Sequence, residues 1–346
     1  MIKVLVVEDS PVVREFLVYV LCSDPEIQVI GTATNGEEAL EAVEQKKPDV
    51  ITMDIHMPRM NGIEATRRIM ETHPTPIIIV SASENLKEVE TTFHALEMGA
   101  LSVISRPKGI GHPNQITSAK ELIRTVKLMS EVKVVRRWVR SGTIPVVPSV
   151  IKEQEKKLRK RIGVIAIGAS TGGPVILQTI LAGFPKDFPV SVLIVQHIAS
   201  GFMRGFVDWL AQSTGFPIHV AVHGEILSFG HAYVAPEWAQ MGVSPDNRIL
   251  LSQCGPLGGL NPSISYLFRS VSEVYGSNAV GILLTGMGKD GAEELKLMKE
   301  KGALTIVQDE ASSVVFGMPG EAIKLGAATY VLSPEKIVSL IIDLMK

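Results

Sequence analysis

Val164-Ile165-Ala166-Ile167-Gly168-Ala169-Ser170-Thr171-Gly172-Gly173-Pro174 joins three signals in a few residues. A short apolar run has the length of a buried strand, the glycines permit a sharp turn, and proline is favoured at the first position of a helix. The stretch predicts strand, turn and helix, one βα unit. Outward toward the C-terminus, apolar runs follow at 192–195, 232–234, 281–284 and 304–307. Outward toward the N-terminus they lie at 4–7, 29–32, 50–53, 77–80 and 101–104, starting 21 to 27 residues apart. That spacing accommodates a strand, a helix and short loops. Runs that are apolar throughout, rather than alternating, imply sheets covered on both faces. Two α/β folds follow. The first is a doubly wound, five-stranded parallel sheet. The second is doubly wound and mostly parallel, with some antiparallel strands at 218–252, where the strand-like pieces lie too close for crossover helices.

The chain has 346 residues, enough for two domains at roughly 150 residues each. Its 34 basic and 36 acidic residues give a net charge of −2, which excludes a globally basic nucleic-acid coat. Cys22 and Cys254 are the only cysteines, too few for a disulfide framework or a four-cysteine zinc site, and a reduced, cytoplasmic setting is expected. Met1-Ile2-Lys3 runs straight into an apolar strand, so no secretory leader is expected. The longest uncharged stretch, 162–185, is broken by Gly168, Gly172, Gly173 and Pro174, which argues against membrane insertion. Residues 131–161 hold ten Lys and Arg against three acids around a Pro-containing centre. We read 129–161 as a linker between domains at 1–128 and 162–346.

Glu8 and Asp9 follow the first strand and Asp54 the third, so three carboxylates meet at the carboxyl end of a parallel sheet, where such sheets place their chemistry. Like charges so close call for a hard divalent cation, and Mg²⁺ fits a small oxygen site that must admit a phosphoryl group. Ser81, after the fourth strand, adds a hydroxyl to the rim. The plain alternative is that these acids merely cap helices. Segment 1–125 resembles the flavodoxin-like receiver domain of two-component response regulators. The resemblance implies Asp54 as phospho-acceptor, with Glu8, Asp9 and Asp54 holding Mg²⁺ and Ser81 and Arg106 in the switch. Where receivers usually read Lys-Pro, this chain reads Arg106-Pro107, and Val103 stands at the position of the switch aromatic.

Ser170 lies in a G-x-S-x-G turn between strand and helix, where a hydroxyl projects and free amides can hold an anion. A nucleophilic serine needs a base, and His197 follows the next apolar run. His219, His223 and His231 are rivals inside or beside strand-like sequence. Asp290 follows the run at 281–284 and completes a hydroxyl, imidazole and carboxylate row. The same loop offers Gly286, Gly288 and Gly291 with Asp309 further on, which mimics a dinucleotide fingerprint but leaves Ser170 and His197 without a role.

The second domain resembles the catalytic domain of the chemotaxis protein-glutamate methylesterases, the CheB family. Beside the stretch quoted first, the matching segments are Gln196-His197, Leu284-Thr285-Gly286-Met287-Gly288-Lys289-Asp290-Gly291, Gln308-Asp309-Glu310 and Phe316-Gly317-Met318-Pro319. With the receiver in front, the resemblance covers essentially the whole chain. It implies Ser170 as nucleophile, His197 as general base and acid, Asp290 as its orienter, and the Met287 main chain at the oxyanion site beside Thr171. It implies methyl-accepting chemoreceptors as substrates, deamidation of receptor glutamines, and a CheA-type histidine kinase as phosphodonor. No cofactor is expected for the ester reaction. The unphosphorylated receiver is expected to pack over the active site and phosphorylation to open it. The family's usual histidine is replaced by Gln240, and its Arg-Pro-Ser by Asn261-Pro262-Ser263. Two other classes compete: a non-catalytic signalling module and a nicotinamide oxidoreductase.

Overall fold

The computed structural model describes residues 1–81, 86–109, 111–132, 134, 162–253 and 261–346. Apart from 129–132 and 134, the expected linker lies outside the described residues, as does Cys254. The chain forms two compact units.

The first unit alternates β1 (Ile2–Val7), α1 (Pro11–Cys22), β2 (Ile27–Ala33), α2 (Gly36–Lys46), β3 (Val50–Met53), α3 (Gly62–Thr72), β4 (Ile77–Ser81), α4 (Leu86–Glu97), β5 (Ser102–Ser105) and α5 (Gln115–Ser130). The strands pair in parallel in the order β2-β1-β3-β4-β5. Val4, Leu5, Val6, Val50, Ile51, Ile77, Ile78 and Ile79 are buried, as uninterrupted apolar strands require when both faces are covered. Asn35 starts α2 by accepting from the amides of Glu37 and Glu38. The strand order reverses between β1 and β3, so a crevice opens beyond their carboxyl ends.

The second unit contains β6 (Val164–Ala169), α6 (Gly173–Ala182), β7 (Ser191–Gln196), α7 (Met203–Thr214), β8 (Ile218–Val220), β9 (Ala232–Val234), β10 (Ala239–Val243), β11 (Ile249–Gln253), α8 (Ile264–Tyr275), β12 (Ala279–Leu283), α9 (Ala292–Glu300), β13 (Leu304–Gln308), α10 (Met318–Lys324), β14 (Tyr330–Leu332) and α11 (Pro334–Met345). Seven strands pair in parallel in the order β14-β13-β12-β6-β7-β9-β8. Among the described residues, antiparallel pairing is found in the separate hairpin β10–β11 and in an isolated bridge between Ile226 and Arg248. β8 and β9 belong to the main sheet, and irregular chain between them replaces the crossover helix, which is why short spacing there does not mean an antiparallel turn. Leu267, Phe268 and Val271 of α8 and Leu295 and Met298 of α9 share a core with the sheet. The strands on either side of β6 are added in opposite directions, so the second crevice lies over β6, β7 and β12. No helix among the described residues is long and apolar enough to cross a membrane.

Candidate active site

Parallel register brings the three loops of the second crevice together. Ala169 pairs with Gln196, and the His197 amide donates to the Ala169 carbonyl at 3.0 Å. On the other side Leu283 pairs with Gly168, and the Ser170 amide donates to the Thr285 carbonyl at 3.0 Å. Ser170 thus sits between the loop that starts with His197 and the loop that carries Asp290. The turn after Ser170 needs its glycine: Gly172 has φ +79°, and a Cβ there would come within 2.6 Å of Val314. Pro174 then follows Gly173 in the first turn of α6, where a missing N–H costs nothing.

His197 Nε2 donates to Asp290 Oδ2 at 3.0 Å, and the two side chains are 18% and 8% exposed. Asp290 is held by the start of α8. Its Oδ2 also accepts from the Ile264 amide at 2.7 Å, and its Oδ1 accepts from Ser263 Oγ at 2.9 Å and the Ser265 amide at 3.0 Å. Burial alone would raise the Asp290 carboxyl. The bonds from His197 and Ile264 outweigh it and hold the group below the usual carboxylate range, an effect the helix N-terminus reinforces. With Nε2 engaged, Nδ1 is the nitrogen left for the Ser170 hydroxyl. An imidazole oriented in this way can deprotonate an alcohol and return the proton to a leaving group.

The amides of Thr171 and Met287 donate to no backbone carbonyl among the described residues, so neither is spent on the main chain. Gly286 lies against Ser170: a Cβ at 286 would approach the Ser170 Cβ within 2.6 Å. Asp309, the acid of the dinucleotide pattern, spends its Oδ1 on the amide and hydroxyl of Ser312. His219 and His231 hydrogen-bond each other, Nε2 to Nδ1, at 2.9 Å, and His223 Nδ1 bonds the Leu251 main chain. Gln240 accepts from the Ser263 amide at 2.7 Å, which anchors the residue that caps α8.

Three participants are given no role in the sequence reading, although Gln196 and Ser263 lie in segments it quotes. Ser263 and Ser265 hold Asp290, and Gln196 bonds the carbonyls of both Ser170 and His197. Asn-Pro-Ser before an apolar-periodic run signals a helix cap at Ser263. For Gln196 there is no comparable local signal, because a polar residue ending a strand reads as ordinary.

In the first crevice, Glu8, Asp9 and Asp54 offer carboxylate oxygens within 4.8 Å of one another. Asp54 is fixed by its own amide, which donates to the Val7 carbonyl at 2.9 Å. Burial, then the Asp54 charge, pushes Glu8 up to about 7, and burial raises Asp54 as well. Carboxylates this poorly neutralised fit a hard divalent cation such as Mg²⁺. Arg106 compensates in part, its Nη2 donating to Glu8 Oε2 at 3.1 Å and Asp54 Oδ1 at 3.4 Å, while its Nε is buried with no partner among the described residues. Ser81 is buried at the end of β4, and its carbonyl accepts from the Arg106 amide at 2.8 Å. Val103 lies half-buried in β5.

Residues 165–341 match the family model described as CheB methylesterase, and residues 4–118 match the response regulator receiver domain. The chain is 57% identical to the protein-glutamate methylesterase/protein-glutamine glutaminase of Nitrosospira multiformis, over 100% of this chain and 97% of that protein. It is 56% identical to protein-glutamate methylesterase/protein-glutamine glutaminase 1 of Syntrophus aciditrophicus, over 99% and 98%. Among solved structures, the CheB methylesterase catalytic domain of Thermotoga maritima is similar at 33% identity and a TM-score of 0.51, covering 53% of this chain and 98% of that one.

Proposed function

The chain belongs to the CheB methylesterase family, and from that premise we propose that it is a phosphorylation-regulated serine hydrolase acting on methylated glutamates of methyl-accepting chemoreceptors. The observation behind this reading is the convergence of Ser170, His197 and Asp290 at the carboxyl ends of β6, β7 and β12, with His197 bonded to a buried, ionised Asp290. Ser170 Oγ attacks the ester carbonyl as His197 Nδ1 accepts its proton. The carbon–methoxy bond breaks, and His197 returns the proton to departing methanol. A glutamyl-serine ester remains. Water then attacks it with the same base, releasing the glutamate carboxylate and restoring the hydroxyl of Ser170. The Met287 and Thr171 amides stabilise the oxyanion in both halves. Receptor glutamine follows the same course with ammonia leaving.

In the receiver, Asp54 takes a phosphoryl group from a CheA-type histidine kinase. Glu8, Asp9 and Asp54 would hold Mg²⁺, which when bound would neutralise phosphoryl charge; Arg106 and Ser81 are the donors at the same sheet edge that would serve the phosphoryl oxygens. Phosphorylation raises the esterase rate, and we place the whole exchange in the cytoplasm, with domain boundaries near 128 and 162. The partners are receptor and kinase, with no nucleic acid.

The test is methanol release from methylated receptor, with and without a small-molecule phosphodonor. The parent protein should release methanol faster with the donor present, and Ser170→Ala should release almost none. Full turnover by Ser170→Ala would end the proposal.

A further inference from the structure

Gln196 is the last residue of β7 and is 1% exposed. Its amide nitrogen donates to two carbonyls, those of Ser170 and His197, each at 2.8 Å. Its Oε1 is buried with no hydrogen-bond partner among the described residues. That oxygen points at the first residue of α6: a Cβ on residue 173 would lie 2.2 Å from it, so the side chain reaches its place only over glycine. An unpaired buried oxygen costs free energy, so the amide is not in its most comfortable setting. What the setting provides is one nitrogen bonded to two loops at once.

We propose that Gln196 is a positioning residue: its single amide nitrogen sets the distance between the Ser170 and His197 loops, and Gly173 is the seat that lets it span both. This inference rests on the serine hydrolase reading above. The main-chain link between the loops, from the His197 amide to the Ala169 carbonyl, stops one residue short of the nucleophile. Gln196 extends the link to Ser170 itself. Proton transfer between hydroxyl and imidazole needs hydrogen-bond reach, and a misplacement of about 1 Å costs on the order of 10²-fold in rate. If the amide merely satisfied two buried carbonyls, its loss would lower stability and leave the rate of Ser170 chemistry alone.

The experiment follows covalent labelling of the full-length protein by a fluorophosphonate, reading the maximal labelling rate, the half-saturating probe concentration and the melting temperature. Gln196→Met keeps the volume and removes both donors. Its maximal labelling rate should fall about 10- to 100-fold, while half-saturation and secondary structure stay near those of the parent. Gly173→Ala leaves the amide chemistry intact and displaces it. It should slow labelling to a similar degree, so it serves if Gln196→Met does not fold. A Cβ on residue 173 would also come within 2.8 Å of the Ala169 Cβ, so the share of the Gly173→Ala effect that passes through the amide is the share that disappears in the Gln196→Ala background. A folded Gln196→Met or Gly173→Ala that labels at the parental rate overturns the positioning role and leaves the hydrolase reading intact. A parent protein that is not labelled at Ser170 overturns both.

Discussion

Replacing Asp290 with asparagine keeps the shape of the side chain and reverses what one of its two ends can do. Every partner of the carboxylate is a donor: His197 Nε2 and the Ile264 amide on Oδ2, Ser263 Oγ and the Ser265 amide on Oδ1. The new NH₂ must face one of these pairs. Toward Ser263 and Ser265 it meets a hydroxyl that can turn and accept, and an N–H that cannot. Toward Ile264 and His197 it meets another N–H, and an imidazole that accepts only by moving its proton from Nε2 to Nδ1. That tautomer cannot take the proton of Ser170. Either orientation strands one N–H of the first turn of α8, a cost of about 1–3 kcal/mol. The wrong tautomer in a comparable triad costs about 10⁴-fold. With the NH₂ toward Ser263 the His197 tautomer survives, but the charge that stabilises the imidazolium is gone. So kcat for methanol release from Asp290→Asn should fall in either orientation, by about 10³- to 10⁴-fold where the tautomer is reversed, with KM little changed. Nitrogen-15 spectra of His197 report the tautomer directly. Turnover within about tenfold of the parent would refute the reasoning.

Because the Asp290 carboxyl titrates below its unfolded value, its contribution to stability is present at neutral pH and is lost as pH falls below about 4. Urea unfolding across pH should show that loss in the parent and a shallower acid limb in Asp290→Asn. Gly286→Ala would force a Cβ to within 2.6 Å of the Ser170 Cβ, and fluorophosphonate labelling should slow at least about tenfold while circular dichroism stays parental. Asp54→Asn should carry no acid-labile phosphate, and its ratio of turnover with and without phosphodonor should be one. Arg106→Met removes the cation that bridges Glu8 and Asp54, so calorimetry should find Mg²⁺ binding tighter by about three- to tenfold.

The central strands were legible because they are apolar runs buried on both faces, and 50–53 coincides with β3 residue for residue, whereas β8 and β14 at the edges of the second sheet are short and half-exposed. The same rule places Ser170, His197 and Asp290, since each directly follows or closely trails such a run, and parallel strands deliver the ends of those runs to one edge. Between 218 and 252 the antiparallel expectation holds for the hairpin β10–β11 and not for β8 and β9, which pair in parallel across irregular chain, because periodicity does not tell which neighbour a three-residue strand chooses. The support of Asp290 was equally hidden. Ser263 and Ser265 lie about 25 residues before it, and the contact is created by α8 starting beneath the loop after β12, a matter of packing that local pattern does not encode. Arg106 shows the opposite case: its charge is evident in the sequence, but its bridge from Glu8 to Asp54 depends on how β1, β3 and β5 are ordered.

Asp290 serves two masters, since the carboxylate that orients His197 also accepts three donors from Ser263, Ile264 and Ser265. Fraying of one helical turn and loss of the base are therefore the same microscopic event. Amide exchange at Ile264 and Ser265, measured on the resting enzyme, would report the fraction of molecules momentarily unable to react.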